Sequence, residues 1–160
     1  LRYTAYMKRA PLADANAMPG NLLRRCHQIS VALFLKHCDA LGLTQLQYAA
    51  LVALEEKGPL DQTTLGGFTA MDRNTIALIV RKLEERGSVT RVRNPEDRRA
   101  VIVTLTESGA ALRAEAETAV RQVQEDIVAP LTEPEREQLI RLLGKMAHAH
   151  NDQSRVRLQT

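Results

Sequence analysis

Tryptophan is absent from the 160 residues, and phenylalanine and tyrosine together supply only 3% of them. A core without large rings has to be built from Leu, Val, Ile and Ala, a usage that favours helices. Cysteine is as scarce. Cys26 and Cys38 are the two present, too few for a disulfide scaffold in a chain this long and in keeping with a reduced, cytoplasmic protein. No apolar run approaches the roughly 20 residues that span a bilayer, so no membrane partner is expected, and no secretory leader pattern is visible. Signatures of catalysis are missing too. His27, His37, His148 and His150 form no H-E-x-x-H, and there is no phosphate loop or nucleophile elbow. His148 and His150 alone are two ligands, which do not make a metal site. The expectation is a chain that is not an enzyme, with no catalytic residues, metal or cofactor.

Charge of either sign is not in large excess: the net charge is +3. Its distribution carries more information than its total. From Asp72 to Arg99 eight basic residues face five acidic ones, whereas from Glu107 to Asp126 two basic face five acidic. Positive charge therefore gathers in the middle of the chain.

What is present is a succession of helical periods broken by one stretch of period two. Residues 1–19, with Pro11, Asn16 and Pro19, read as an irregular arm. A helix is expected from about Gly20 to Leu41 with two apolar stripes: Leu22, Cys26, Ile29 and Leu33 on one, Leu23, His27, Ser30, Phe34 and Cys38 on the other. Two stripes imply two neighbours, and they place both cysteines among packed apolar side chains. Thr44 and Gln47 form a capping box for a second helix, with Leu43 and Tyr48 as its hydrophobic staple, and Gly58-Pro59 ends it. A short helix spans about Asp61 to Thr69. Asp72 caps a helix from Arg73 to Arg86, and Gly87 stops it. Val89 to Arg93 and Val101 to Leu105 then alternate as two strands of a hairpin. Thr106 opens a long helix to about Ala129, and Thr132 with Glu135 caps a last one to about His148. The polar residues 151–160 are expected to fray. A short helix, a turn, a longer helix and a hairpin, in that order, describe a winged helix-turn-helix, so the fold class is mainly α with a small β-hairpin wing.

At 100° per residue, Ile76, Ile79, Val80 and Leu83 of the 73–86 helix fall in one arc and face the core, while Arg73, Asn74, Ala77 and Arg81 face outward. Any amphipathic helix has a polar outer face, but this one suits a major groove. Arg can reach guanine O6 and N7, Asn can pair with adenine, and Ala lets the backbone come close. Thr75 can bond a phosphate from the first turn. The hairpin tip adds Arg98 and Arg99, with Arg91 and Arg93 on the strand before it and Asp97 placed to orient its arginine neighbours; such a tip suits a narrow minor groove. Thr63 and Thr64, on the short preceding helix, complete the candidate DNA-binding set.

The stretches Asp72-Arg73-Asn74-Thr75, Leu83-Glu84-Glu85-Arg86-Gly87-Ser88-Val89, Asn94-Pro95-Glu96-Asp97-Arg98-Arg99-Ala100 and Leu105-Thr106-Glu107-Ser108-Gly109 resemble the MarR family of bacterial regulators, from about Leu22 to Ala147 in element order. Asn74 replaces the family's usual Ser, Asn94 its Asp, and Ser88 a bulky apolar residue. The resemblance implies one domain over 1–160, with helices 20–41 and 106–148 forming a homodimer interface, 44–105 the winged lobe and 1–19 an arm. It implies a repressor of a palindromic duplex operator, released by a small aromatic or phenolic carboxylate or its coenzyme A thioester. Arg24, Arg25, His27, Ser30, Phe34 and Tyr48 are then the candidate effector lining, and Pro19 to Arg25 resembles members that control aromatic-acid breakdown. Two alternatives stay open: a thiol switch at Cys26, beside Arg25 and His27, and an adaptor that turns the winged motif to a protein and has no salt-dependent DNA affinity.

Overall fold

A computed structural model describes residues 15–95, 97 and 100–159. Helix α1 (Pro19–Cys38) opens with proline in its first turn and gives way to a single 3-10 turn, Asp39–Leu41. Helix α2 (Gln45–Lys57) starts at the expected capping box: the Gln47 amide donates to Thr44 Oγ1 at 3.3 Å, and the Thr44 amide donates to Gln47 Oε1 at 2.9 Å. Then follow β1 (Leu60–Asp61), α3 (Gln62–Phe68), α4 (Arg73–Glu85), β2 (Val89–Arg93) and β3 (Val101–Leu105). The chain continues through α5 (Glu107–Val128) and α6 (Glu133–Ala149) to a 3-10 turn at Asn151–Gln153.

The core is aliphatic, as the shortage of rings requires. Leu43, Leu51 and Leu54 meet Leu65 of α3, Ile76, Val80 and Leu83 of α4, and Val89 and Val103 of the sheet; all are buried. Helix α1 packs along α5 through Phe34 and Cys38 against Ala116 and Val123. His37 Nε2 lies 2.8 Å from Asp126 Oδ2 across that seam. Among the described residues, the buried positions of α1 are Phe34 and Cys38, both on one side. Leu22, Leu23, Ile29 and Leu35 stay exposed, as do Ile140, Leu142, Leu143 and Met146 of α6, a helix with no buried residue.

Three local expectations change. The hairpin is part of a three-stranded antiparallel sheet of order β1-β3-β2, in which Leu60 pairs with Val103 and Asp61 with Ile102. Two residues carry no readable period, which is why β1 escaped the sequence. Cys26 is exposed, and only Cys38 is buried, with burial pushing its thiol pKa up; the apolar stripe that holds Cys26 is an uncovered one. Finally, residues 151–159 are not frayed. The side chain of Asn151 clamps the Leu158 backbone, accepting from its amide at 2.9 Å and donating to its carbonyl at 3.2 Å, and the Gln159 amide donates to the Gly67 carbonyl at 3.0 Å.

Candidate nucleic-acid interface

Helix α4 is positioned at both ends by its own sequence. At the start, Asp72 accepts from the Thr75 amide at 2.8 Å, and that bond, reinforced by the Thr75 hydroxyl, holds the Asp72 carboxyl below its ordinary pKa. At the other end, Gly87 takes φ of 76° and closes a Schellman turn: its amide donates to Glu84, and the Ser88 amide donates to Leu83, both at 2.8 Å. Glycine carries no Cβ penalty at that φ. The helix then turns Ile76, Ile79, Val80 and Leu83 into the core and leaves Arg73, Asn74 and Arg81 exposed, with Thr75 and Ala77 half-buried. Arg81 approaches Glu85 one turn on, at 3.7 Å. Leu78 shares the outer surface at 42% exposure. It sits 40° beyond Asn74 on the helical wheel, so the signal is present in the sequence, although an apolar side chain does not stand out on a polar face. Its methyl groups suit the thymine methyl of a groove.

Helix α3, the first of the helix-turn-helix pair, is anchored through β1. Asp61, fixed by pairing with β3, accepts from the Thr63 and Thr64 amides at 3.0 Å each and takes a short bond from the Thr64 hydroxyl. Burial pushes the Asp61 pKa up, but the Thr64 and Thr63 bonds outweigh it, and the net shift is downward. Thr64 thus spends its hydroxyl on the cap, whereas Thr63 is exposed.

The wing strands pair in the expected register, Val89 with Leu105 through Arg93 with Val101. Near the tip the Asn94 amide donates to the Ala100 carbonyl at 3.0 Å and the Ala100 amide to the Asp97 carbonyl at 2.9 Å. Arg98 and Arg99 lie outside the described residues. Arg93 is exposed. Arg91 turns back instead: its Nε donates to Glu84 Oε2 on α4 at 2.7 Å, and this bond raises its pKa. Behind the wing, Thr106 donates to the Gly87 carbonyl at 2.7 Å while accepting from the Gly109 amide at 3.0 Å, so one threonine joins α4, the sheet and α5.

Residues 43–101 match the MarR family. The HTH-type transcriptional repressor NicR of Pseudomonas putida is 40% identical over 133 residues, 83% of this chain and 84% of that protein. The chain belongs to the MarR family. It is a DNA-binding transcriptional repressor with a winged helix-turn-helix fold. Two solved structures resemble this MarR-family chain over most of its length. One is Bordetella bronchiseptica BpsR, whose DNA binding is regulated by 6-hydroxynicotinic acid; it shares 34% identity at a TM-score of 0.75, covering 80% of this chain and 97% of that one. The other is the repressor CouR bound to a 23-mer DNA duplex, at 27% identity and a TM-score of 0.76, covering 88% and 99%.

The six effector-site candidates of this MarR-family chain do not converge as one lining. Phe34 is 3% exposed and belongs to the core, its ring 6.4 Å from that of Tyr48. Ser30 Oγ accepts from Gln45 Nε2 at 2.8 Å, which places Ser30, Phe34 and Tyr48 at the α1–α2 junction. Arg25, nine residues before Phe34, lies half a turn around the helix and points away. Arg24 is held by Asn21 and Gln28 along the exposed surface, and His27 is exposed with it. Tyr48 also opens on a groove of about 530 Å³ with Val52 and Phe68, where the Lys57 ammonium stands 5.4 Å from the Phe68 ring centroid. Among the described residues no helix is long and apolar enough to cross a membrane.

Proposed function

We propose that this repressor acts as a homodimer on a palindromic duplex, each subunit laying α4 in a major groove, and that a small aromatic acid or its coenzyme A thioester releases it. The observation that carries the reading is the division of α4: Arg73, Asn74 and Arg81 are exposed on a helix whose other face is buried. Arg73 and Asn74 read base edges, and Thr63 and Arg93 hold phosphates, whereas Thr75 spends its amide and hydroxyl on the Asp72 cap. Wing residues Arg98 and Arg99 enter on the strength of the sequence motif. The uncovered apolar residues of α1 and α6 support the dimer, since a surface this apolar on both terminal helices favours a partner. A twofold dimer sets its two α4 helices roughly 34 Å apart, one turn of DNA.

Regulation of BpsR by 6-hydroxynicotinic acid makes hydroxylated aromatic acids the first class to test. Binding one lobe arrangement better than the other shifts the population away from DNA. The test of the DNA reading is a gel-shift series on a duplex selected by the wild-type chain from a random pool. Arg73→Ala weakens binding and blurs base choice, while Arg98→Ala weakens it evenly across sequences. Unchanged affinity in both variants sinks the reading. A thermal-shift screen of aromatic acids and their thioesters finds the effector, because a ligand that binds the folded state raises its melting temperature with occupancy.

The exposure of Cys26 favours one second reading, release by thiol oxidation. Peroxide release that survives Cys26→Ser removes it.

A further inference from the structure

The residues after α6 form a strap across the helix-turn-helix, and that strap carries arginines. Three contacts fix its path: Asn151 clamps the Leu158 backbone, Gln159 bonds the Gly67 carbonyl, and Leu158 lies in the groove beside Tyr48 and Phe68. The Gln159 side-chain amide also rests over Gly67, where a Cβ would stand 2.7 Å from Gln159 Nε2. Between the fixed points, Arg155 and Arg157 stand out from the backbone with side chains 91% and 70% exposed. Arg155 Nη2 is 3.8 Å from Asp72 Oδ2, the cap of α4, and Arg157 Nε is 3.1 Å from Asp152 Oδ1. Both arginines border one cleft of about 730 Å³ with Arg73.

We propose that the strap is part of the DNA-binding surface, with Arg155 and Arg157 contacting backbone phosphates that flank the bases faced by α4. This rests on the reading of α4 as the groove-facing helix. The position is continuous with that surface, because Arg155 reaches the residue that begins the helix. Exposed guanidiniums suit phosphate oxygens, and their present partners are surface carboxylates, which hold such pairs weakly. A masking strap would bury the residues it covers, yet Arg73 and Asn74 remain exposed beside it. The strap therefore extends the interface rather than closing it.

The experiment uses the full chain and a fluorescein-labelled duplex selected by the wild type from a random pool, with Kd measured over a series of NaCl concentrations. The double variant Arg155→Ala/Arg157→Ala is expected to lower the slope of log K against log salt by about 0.9 for each phosphate that a subunit no longer neutralises. It is expected to keep the wild-type base preference, because phosphate contacts carry no sequence information. Asn151→Ala unclamps the strap without removing charge and is expected to lower the slope by a smaller amount. An unchanged slope in the double variant overturns the inference while leaving the α4 reading intact. Tighter binding by the double variant also overturns it, and shows a strap that screens the helix. If the wild type selects no duplex at all, the α4 reading falls and the inference with it.

Discussion

Arg91 of the first wing strand donates to Glu84 of α4 at 2.7 Å, so one of the wing's arginines grips the reading helix instead of pointing away with Arg93. The pair bridges the wing strand and the helix with two side chains, each about one-third exposed. Arg93→Ala is expected to lower the salt slope of DNA binding by about 1, and Arg91→Ala by clearly less. Equal reductions would show that Arg91 leaves Glu84 for the phosphates. A double-mutant cycle on Arg91 and Glu84, read by chemical denaturation, should give a coupling of less than about 1 kcal/mol, since solvent screens so exposed a pair.

Gly109 sits where α5 passes beneath the wing. A Cβ there would collide with the Ser88 carbonyl and stand 2.8 Å from Leu105 Cδ1. The carbonyl is backbone and cannot swing aside, so Gly109→Ala should cost roughly 2–3 kcal/mol, as overpacking does. Urea denaturation measures this; a change under about 0.5 kcal/mol would mean that α5 slides freely against the sheet.

Ser88 is fully buried, and its hydroxyl has no hydrogen-bond partner among the described residues. Removing a buried, unmatched hydroxyl from a site of nearly the same shape is neutral or stabilising, by up to about 1 kcal/mol. Ser88→Ala is therefore expected to melt at or above the wild-type temperature. A clear drop would reveal a bound water that satisfies the hydroxyl.

Acid should loosen the DNA-binding lobe through its caps. The carboxyls of Asp61 and Asp72 both titrate below their ordinary 3.8 in the folded chain, held down by the Thr64 and Thr63 bonds in one case and the Thr75 bond in the other. A carboxyl depressed on folding stabilises the protein above its unfolded pKa, and the contribution disappears as pH falls below about 4 through the folded value. An Asp61→Asn/Asp72→Asn variant keeps the capping geometry, because Asn caps well, but cannot titrate. Its stability should fall less steeply than the wild type's between about pH 5 and pH 2 in denaturation curves. Parallel curves would show that these caps contribute nothing to the acid limb.

Much of this was legible along the chain. Thr44 with Gln47, Asp72, Gly87 and Thr132 with Glu135 mark helix ends through bonds that span three to five residues, and the division of α4 follows from a period of 3.6. The wing register follows from two alternating runs joined by a polar turn. Those relations are local, and local chemistry decides them. The role of Gly109 in the Leu105-Thr106-Glu107-Ser108-Gly109 motif was visible only as a pattern; its reason, close approach to Ser88, appears once the elements pack.

Sequence alone therefore determined the helices, their caps, the hairpin and the outward set Arg73, Asn74 and Arg81, because each rests on neighbours a few positions away. Tertiary structure decided what joins distant positions. It brought Asp61 to Ile102 as a third strand, sent Phe34 into the core, left Cys26 in the open and laid Gln159 on Gly67. Pairings of this kind form only after packing has met the entropy of closing long loops, and no period in the sequence encodes which surfaces will meet.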